Sequence, residues 1–126
     1  MIGINHIYSQ IEFSTLRLFS IGYSIRMLEG EIHFPGDIKL SIYEIIDFDN
    51  GAIETYSYEV YKDNKKIYWY DCQPHPNEPV LAITHPHHKH IPPGIKHHRI
   101  ATEELHFEKS NLDFLIKEIL ETLLKI

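Results

Sequence analysis

The run His85-Pro86-His87-His88-Lys89-His90 sets four imidazoles beside one cation. It is preceded by Asp71-Cys72-Gln73-Pro74-His75 and followed by His97-His98-Arg99. Seven of the ten histidines lie between His75 and His98, so the clustering is a feature of this segment and not of the composition as a whole. Imidazole titrates near neutral pH, and neighbouring histidines can therefore supply both a proton acceptor and a proton donor. Lys89 or Arg99 can hold a phosphate or offset charge that builds in a transition state. Metal-independent cleavage of RNA needs this combination. One imidazole deprotonates the ribose 2′-OH, a second protonates the leaving 5′-oxygen, and a cation stabilises the phosphorane. On this reading His87, His88 and His90 share the acid and base roles, Lys89 binds phosphate, and Asp71 and His75 orient the others.

The same residues support a second chemistry. In an extended chain, side chains two apart share a face. That pairs His85 with His87 and His88 with His90. Zinc or nickel accepts imidazoles, with Asp71 as an oxygen ligand, although no zinc-site spacing is matched. A metal-dependent hydrolase or metal-binding protein is thus the alternative enzyme reading. A non-catalytic protein-binding module, with the histidine segment as its recognition surface, is the alternative outside catalysis. Tyr56, Tyr58, Tyr61, Tyr68, Trp69 and Tyr70 can stack on bases, but alternation along strands sends half of them to a core. Cys72 reads as a small buried side chain. His6, His33 and His106 are isolated and read as surface or internally satisfied residues. No cofactor-binding motif is present, and no cofactor is expected.

The elements that must position this segment follow from periodicity. Ile4, Ile7, Tyr8 and Ile11 form the stripe of a short N-terminal helix. From Ile21 the period is two: Ile21, Tyr23, Ile25 and Met27 alternate with small or polar residues, and Ile32 and Phe34 continue on the opposite parity, which predicts a bulge or turn at Gly30. Pro35-Gly36-Asp37 predicts a turn, and Ile38, Leu40 and Ile42 a second strand. Asp49-Asn50-Gly51 predicts a type I′ hairpin turn. Tyr56, Tyr58 and Val60 form a third strand, Asp63-Asn64 a turn, and Lys66 to Tyr70 a fourth strand. Residues 73–98 hold six of the seven prolines and read as a long irregular loop. Leu112, Leu115, Ile116, Ile119, Leu120, Leu123 and Leu124 form one helical stripe, with Ser110 and Asp113 placed as a capping box. The predicted fold is α+β: an antiparallel meander of four to five strands, a C-terminal helix packed on one face and a short N-terminal helix.

Size and charge bound the rest. A chain of 126 residues with 43% hydrophobic and 24% charged side chains suits a single domain spanning 1–126. No apolar run is long enough for a transmembrane helix, and the first twenty residues lack the pattern of a signal peptide. With a single cysteine, the expectation is a cytoplasmic protein with no membrane partner. The net charge is −6. Residues 1–64 carry 4 basic and 10 acidic side chains, whereas residues 65–100 carry 5 basic and 2 acidic. The only basic stretch is therefore the histidine-rich one. A small basic patch on an acidic body suits transient contact with nucleic acid better than tight nonspecific binding. The oligomeric state is left open, a homodimer included.

The sequence resembles the TumE-like toxin family. The resemblance is carried by Tyr70 and Asp71, then Pro74-His75, then Pro86-His87-His88-Lys89-His90, which follow the family's aromatic-Asp, Pro-His and Pro-His-His-Lys/Leu-His steps. Phe34 to Glu44 resembles the family's Gly-Asp/Ser…Leu-x-x-x-Glu strand, and Tyr56 to Tyr61 its aromatic strand. The chain departs from the commonest form in two ways. Asp71-Cys72-Gln73-Pro74-His75-Pro76 stands where many members have Asp-Asn-Ala-Pro-His-His, and the stretch Ile91 to Arg99 is added. The resemblance implies a toxin of a two-gene toxin–antitoxin system, an RNA substrate, and a small helix-turn-helix DNA-binding antitoxin as partner.

Overall fold

A computed structural model describes residues 9–72, 88–91, 99–101 and 105–125. Its strands are β1 (Phe13–Ser14), β2 (Arg17–Ser20), β3 (Ile25–Phe34), β4 (Ile38–Asp47), β5 (Ala52–Lys62), β6 (Lys65–Asp71), β7 (His88–His90) and β8 (Arg99–Ala101). One helix among the described residues, α1 (Leu112–Thr122), follows them. All strands join one antiparallel sheet in the order β1-β3-β4-β5-β6-β7-β8, with β2 also paired to β3. The central four strands are the expected meander, and short strands widen it at both edges. The stripe expected to form an N-terminal helix falls mostly on residues outside those described.

Alternation makes the strands. Along β4, Ile38, Leu40 and Ile42 are buried while Lys39, Ser41 and Tyr43 are not. Tyr58 and Val60 on β5, Tyr68 and Tyr70 on β6, and Ile32 and Phe34 on β3 share that inner face. The face is closed by Leu115, Ile116, Ile119 and Leu120 of α1 and by Leu105. Each such side chain stabilises the fold by roughly 1.5–3 kcal/mol when fully buried.

Local chemistry departs from the sequence expectation at four places. The chain does not turn at Gly30; β3 runs straight through it. Gly30 has φ 147°, and a Cβ there would stand 2.6 Å from the Thr15 carbonyl oxygen. The glycine is needed because the break between β1 and β2 presses onto the β3 backbone. The loop at Asp49-Asn50-Gly51 is not a type I′ turn, since Gly51 has positive φ but Asn50 does not. The Asp47 carboxylate instead accepts the backbone N–H groups of Asp49 and Asn50 at 2.9 and 3.3 Å, which holds a longer loop. The paired positive φ angles of a type I′ turn occur at Asp63 and Asn64, 54° and 64°. The N-cap of α1 is Asn111 instead of Ser110 and makes no side-chain cap, while Ser110 Oγ accepts the Leu112 N–H at 3.3 Å. The Asn111 side chain is turned into the core.

Candidate functional site

The outer face of β6 and β7 holds the first cluster. Asp71 ends β6 and is opposite His88, while Trp69 is opposite His90. Strand parity therefore puts residues 69, 71, 88 and 90 on the face away from α1. His90 stacks on Trp69 with ring centroids 4.3 Å apart. Its Nε2 lies 3.0 Å from Asp71 Oδ2, and the Trp69 indole N–H donates to the same oxygen at 3.4 Å. His90 is 2% exposed and Asp71 18%. A carboxylate held against Nε2 selects the neutral tautomer with its proton there, which places the lone pair on Nδ1. The ring is thus fixed in plane, tilt and tautomer, as an acid–base histidine requires.

A cation lies against this face. A bulge at Ile67 shifts the β5–β6 register, so Lys66 pairs with Tyr61. The shift brings Lys66 onto the face of Trp69, where its ammonium sits 4.3 Å from the ring centroid and pairs with Glu59. On the other side, Arg99 of β8 is opposite His90 in the register.

Lys89 points the other way. It is opposite Tyr70 and shares its inner face. The Lys89 ammonium pairs with Glu118 of α1 at 3.0 Å and lies 4.7 Å and 5.2 Å from the ring centroids of Tyr68 and Tyr70. The Tyr70 hydroxyl donates to the same carboxylate at 2.7 and 2.9 Å. This knot ties β6 and β7 to the helix.

A second polar cluster lies on the inner face, at the N-terminal end of α1. Glu44 continues the apolar parity of Ile38, Leu40 and Ile42 and is 2% exposed. The Tyr58 hydroxyl donates to Glu44 Oε2, and the Asn111 amide donates to Tyr58 Oη at 3.0 Å. Asn111 also exchanges hydrogen bonds with the His106 backbone at 2.8 and 3.0 Å, which pins the segment entering α1. Burial raises the Glu44 carboxyl above its ordinary range, with the Tyr58 hydrogen bond opposing the shift. Burial, with the neighbouring Glu44 charge, pushes the Tyr58 phenol far up. Cys72 is buried at the end of β6, where it accepts the Tyr56 N–H at 3.4 Å.

Of the six site residues expected from sequence, the structure brings Asp71 and His90 together on one face, sends Lys89 to the other, and sets the backbone of His88 opposite Asp71. His75 and His87 lie outside the described residues. His88–His90 is a strand and not part of a loop, because the free edge of β6 supplies backbone partners. Among the described residues, no three His, Cys, Asp or Glu side chains group to hold a metal ion. No described helix is long and apolar enough to cross a membrane. Sequence reasoning named Trp69 as a ring that can stack on bases but missed its stacking on His90, and it missed the Glu44–Tyr58–Asn111 chain. The signal for Glu44 was present: it is the one acid inside an otherwise apolar alternation.

The family model for toxin TumE matches residues 7–123. No curated protein and no solved structure matches the chain. The chain belongs to the toxin TumE family.

Proposed function

We propose that this member of a toxin family acts as the toxin of a toxin–antitoxin pair by cleaving RNA without a metal, at the outer face of β6 and β7. The observation that carries the reading is the Asp71–His90 pair stacked on Trp69. His90 takes or gives the proton, and Asp71 holds its tautomer. His88, whose backbone is opposite Asp71 in the register, is the second imidazole of the proposal. Lys66 is the described cation on this face and makes the phosphate contact. Lys89, held by Glu118, braces the strand from behind. The family membership supports an antitoxin partner, a small DNA-binding protein, which would mask this site.

The test is cleavage of total cellular RNA by metal-stripped protein, with and without chelator, beside His90→Ala. Cleavage that survives chelation and is lost in the variant is the expected result. Cleavage that appears only after zinc, nickel, manganese or magnesium is restored would move the function to the metal-dependent reading. No cleavage in any condition would favour the protein-binding module.

A further inference from the structure

Among the described residues, a cavity of about 300 Å³ opens on the sheet's inner face between β2, the start of β5 and the segment 107–110. Its walls are Leu18, Leu28, Ile46, Phe48, Ile53 and Phe107, and Glu44 lines it. Apolar walls with one converging polar group are the usual make-up of a small-molecule site, and this volume lies at the lower end of the range. Tyr58 is the one hydrogen-bond partner of Glu44 among the described residues and takes Oε2. No described residue donates to Oε1, and Glu44 lines the cavity. A buried carboxylate with an unfilled acceptor is costly in an apolar wall, and a cation that reaches it restores the missing hydrogen bonds. The exposed side chains of Leu18 and Phe48 at the mouth extend the apolar surface outward.

We propose that this cavity binds a small organic monocation, an ammonium group on an apolar stem, with the ammonium on Glu44 and the stem against Leu28, Ile46 and Ile53. The roughly 30 Å³ occupied by each water in the liquid bounds the occupant at about ten non-hydrogen atoms. Lys109 stands at the lining and disfavours a second positive charge, so a monoamine fits and a diamine does not. The site lies on the opposite face from Asp71 and His90 and goes beyond the nuclease reading, since its occupancy is read by binding alone.

The experiment is titration of the full chain with hexylammonium, followed by backbone amide shifts, beside hexanol, hexanoate and putrescine. Hexylammonium is expected to shift Glu44, Ile46, Ile53 and Phe107 saturably. Hexanol and hexanoate should bind at least about ten-fold more weakly, the loss expected for a charge-assisted hydrogen bond. Glu44→Gln keeps the acceptor for Tyr58 and should weaken hexylammonium by a similar factor. Ala52→Leu fills the cavity from its wall without touching the carboxylate, and should also abolish the shifts, which keeps the test valid if Glu44→Gln folds poorly. Equal binding of hexanol, tighter binding of putrescine, or shifts that survive Ala52→Leu would each overturn the proposal. So would tighter binding of N-acetyl-lysine methylamide than of butylammonium, which would give the cavity to a partner protein's lysine instead of a free amine.

Discussion

Asp71 and Glu44 are both carboxylates drawn into the protein from the central sheet, and the two faces treat them differently. Asp71 meets two ring N–H donors, from His90 and Trp69, that converge on a single oxygen. Glu44 meets one phenol and a set of apolar walls. The first arrangement locks a titratable partner in position, which suits proton transfer. The second leaves a carboxylate with a single described donor in the lining of a cavity, which suits binding. Burial alone therefore does not say what an acid is for; the count and kind of its donors do.

The largest effect that would break this comparison is expected at His90. Replacement by alanine should lower RNA cleavage by at least about 100-fold, the usual worth of a general acid or base, with the fold checked by circular dichroism. Asp71→Asn should lose less, because the amide can still orient the ring. Its pH–rate profile should shift on the limb set by His90; an unshifted profile would reduce Asp71 to a structural role.

On the other face, the effects are on stability. Asn111→Ala removes the amide that ties Tyr58 to the His106 backbone and strands buried polar groups, so it should cost about 1–3 kcal/mol in chemical denaturation. Lys89→Met breaks a partly buried ion pair with Glu118 and should cost about 1 kcal/mol or less. Cleavage should fall far less in Lys89→Met than in His90→Ala. An equal fall would return Lys89 to the phosphate-binding role that its place in the histidine run suggested.

The smallest effect is the most diagnostic of the environment. The Glu44 carboxyl lies above its ordinary value of 4.5 in the folded protein, chiefly through burial. The folded state then holds its proton more tightly than the unfolded chain. That contribution to stability is fully present below the unfolded value and is lost as pH rises through the folded one. The stability of wild type relative to Glu44→Gln should therefore decline as pH is raised from 4.5 towards neutrality. A flat difference would mean that the cavity is wet enough to solvate the charge.

Much of this architecture was legible in residue order. Ile38, Leu40 and Ile42 announce an inward face by alternation alone, and Leu112 to Leu124 announce a helix by its stripe. The histidine run marked where to look for chemistry. Turn types were less legible: the Asp-Asn-Gly segment carries the residues of a type I′ turn, yet the Asp47 side chain competes for its backbone donors and selects another loop. The capping residues failed for a similar reason, since Asn111 finds better partners in Tyr58 and His106 than in its own helix.

By itself, then, the sequence determined the four central strands, their inward parity, the C-terminal helix and the identity of the reactive side chains, because these depend on neighbours within a few positions. Only the tertiary structure decided that His90 meets Asp71, that Lys89 meets Glu118 instead of a substrate, and that Glu44 faces a cavity. Those pairs join residues 19 and 29 positions apart, or a strand with segments beyond it. They follow from strand order, from the register of β6 with β7 and from the bulge at Ile67. A shift of one residue in any of these would send each side chain to the other face of the sheet.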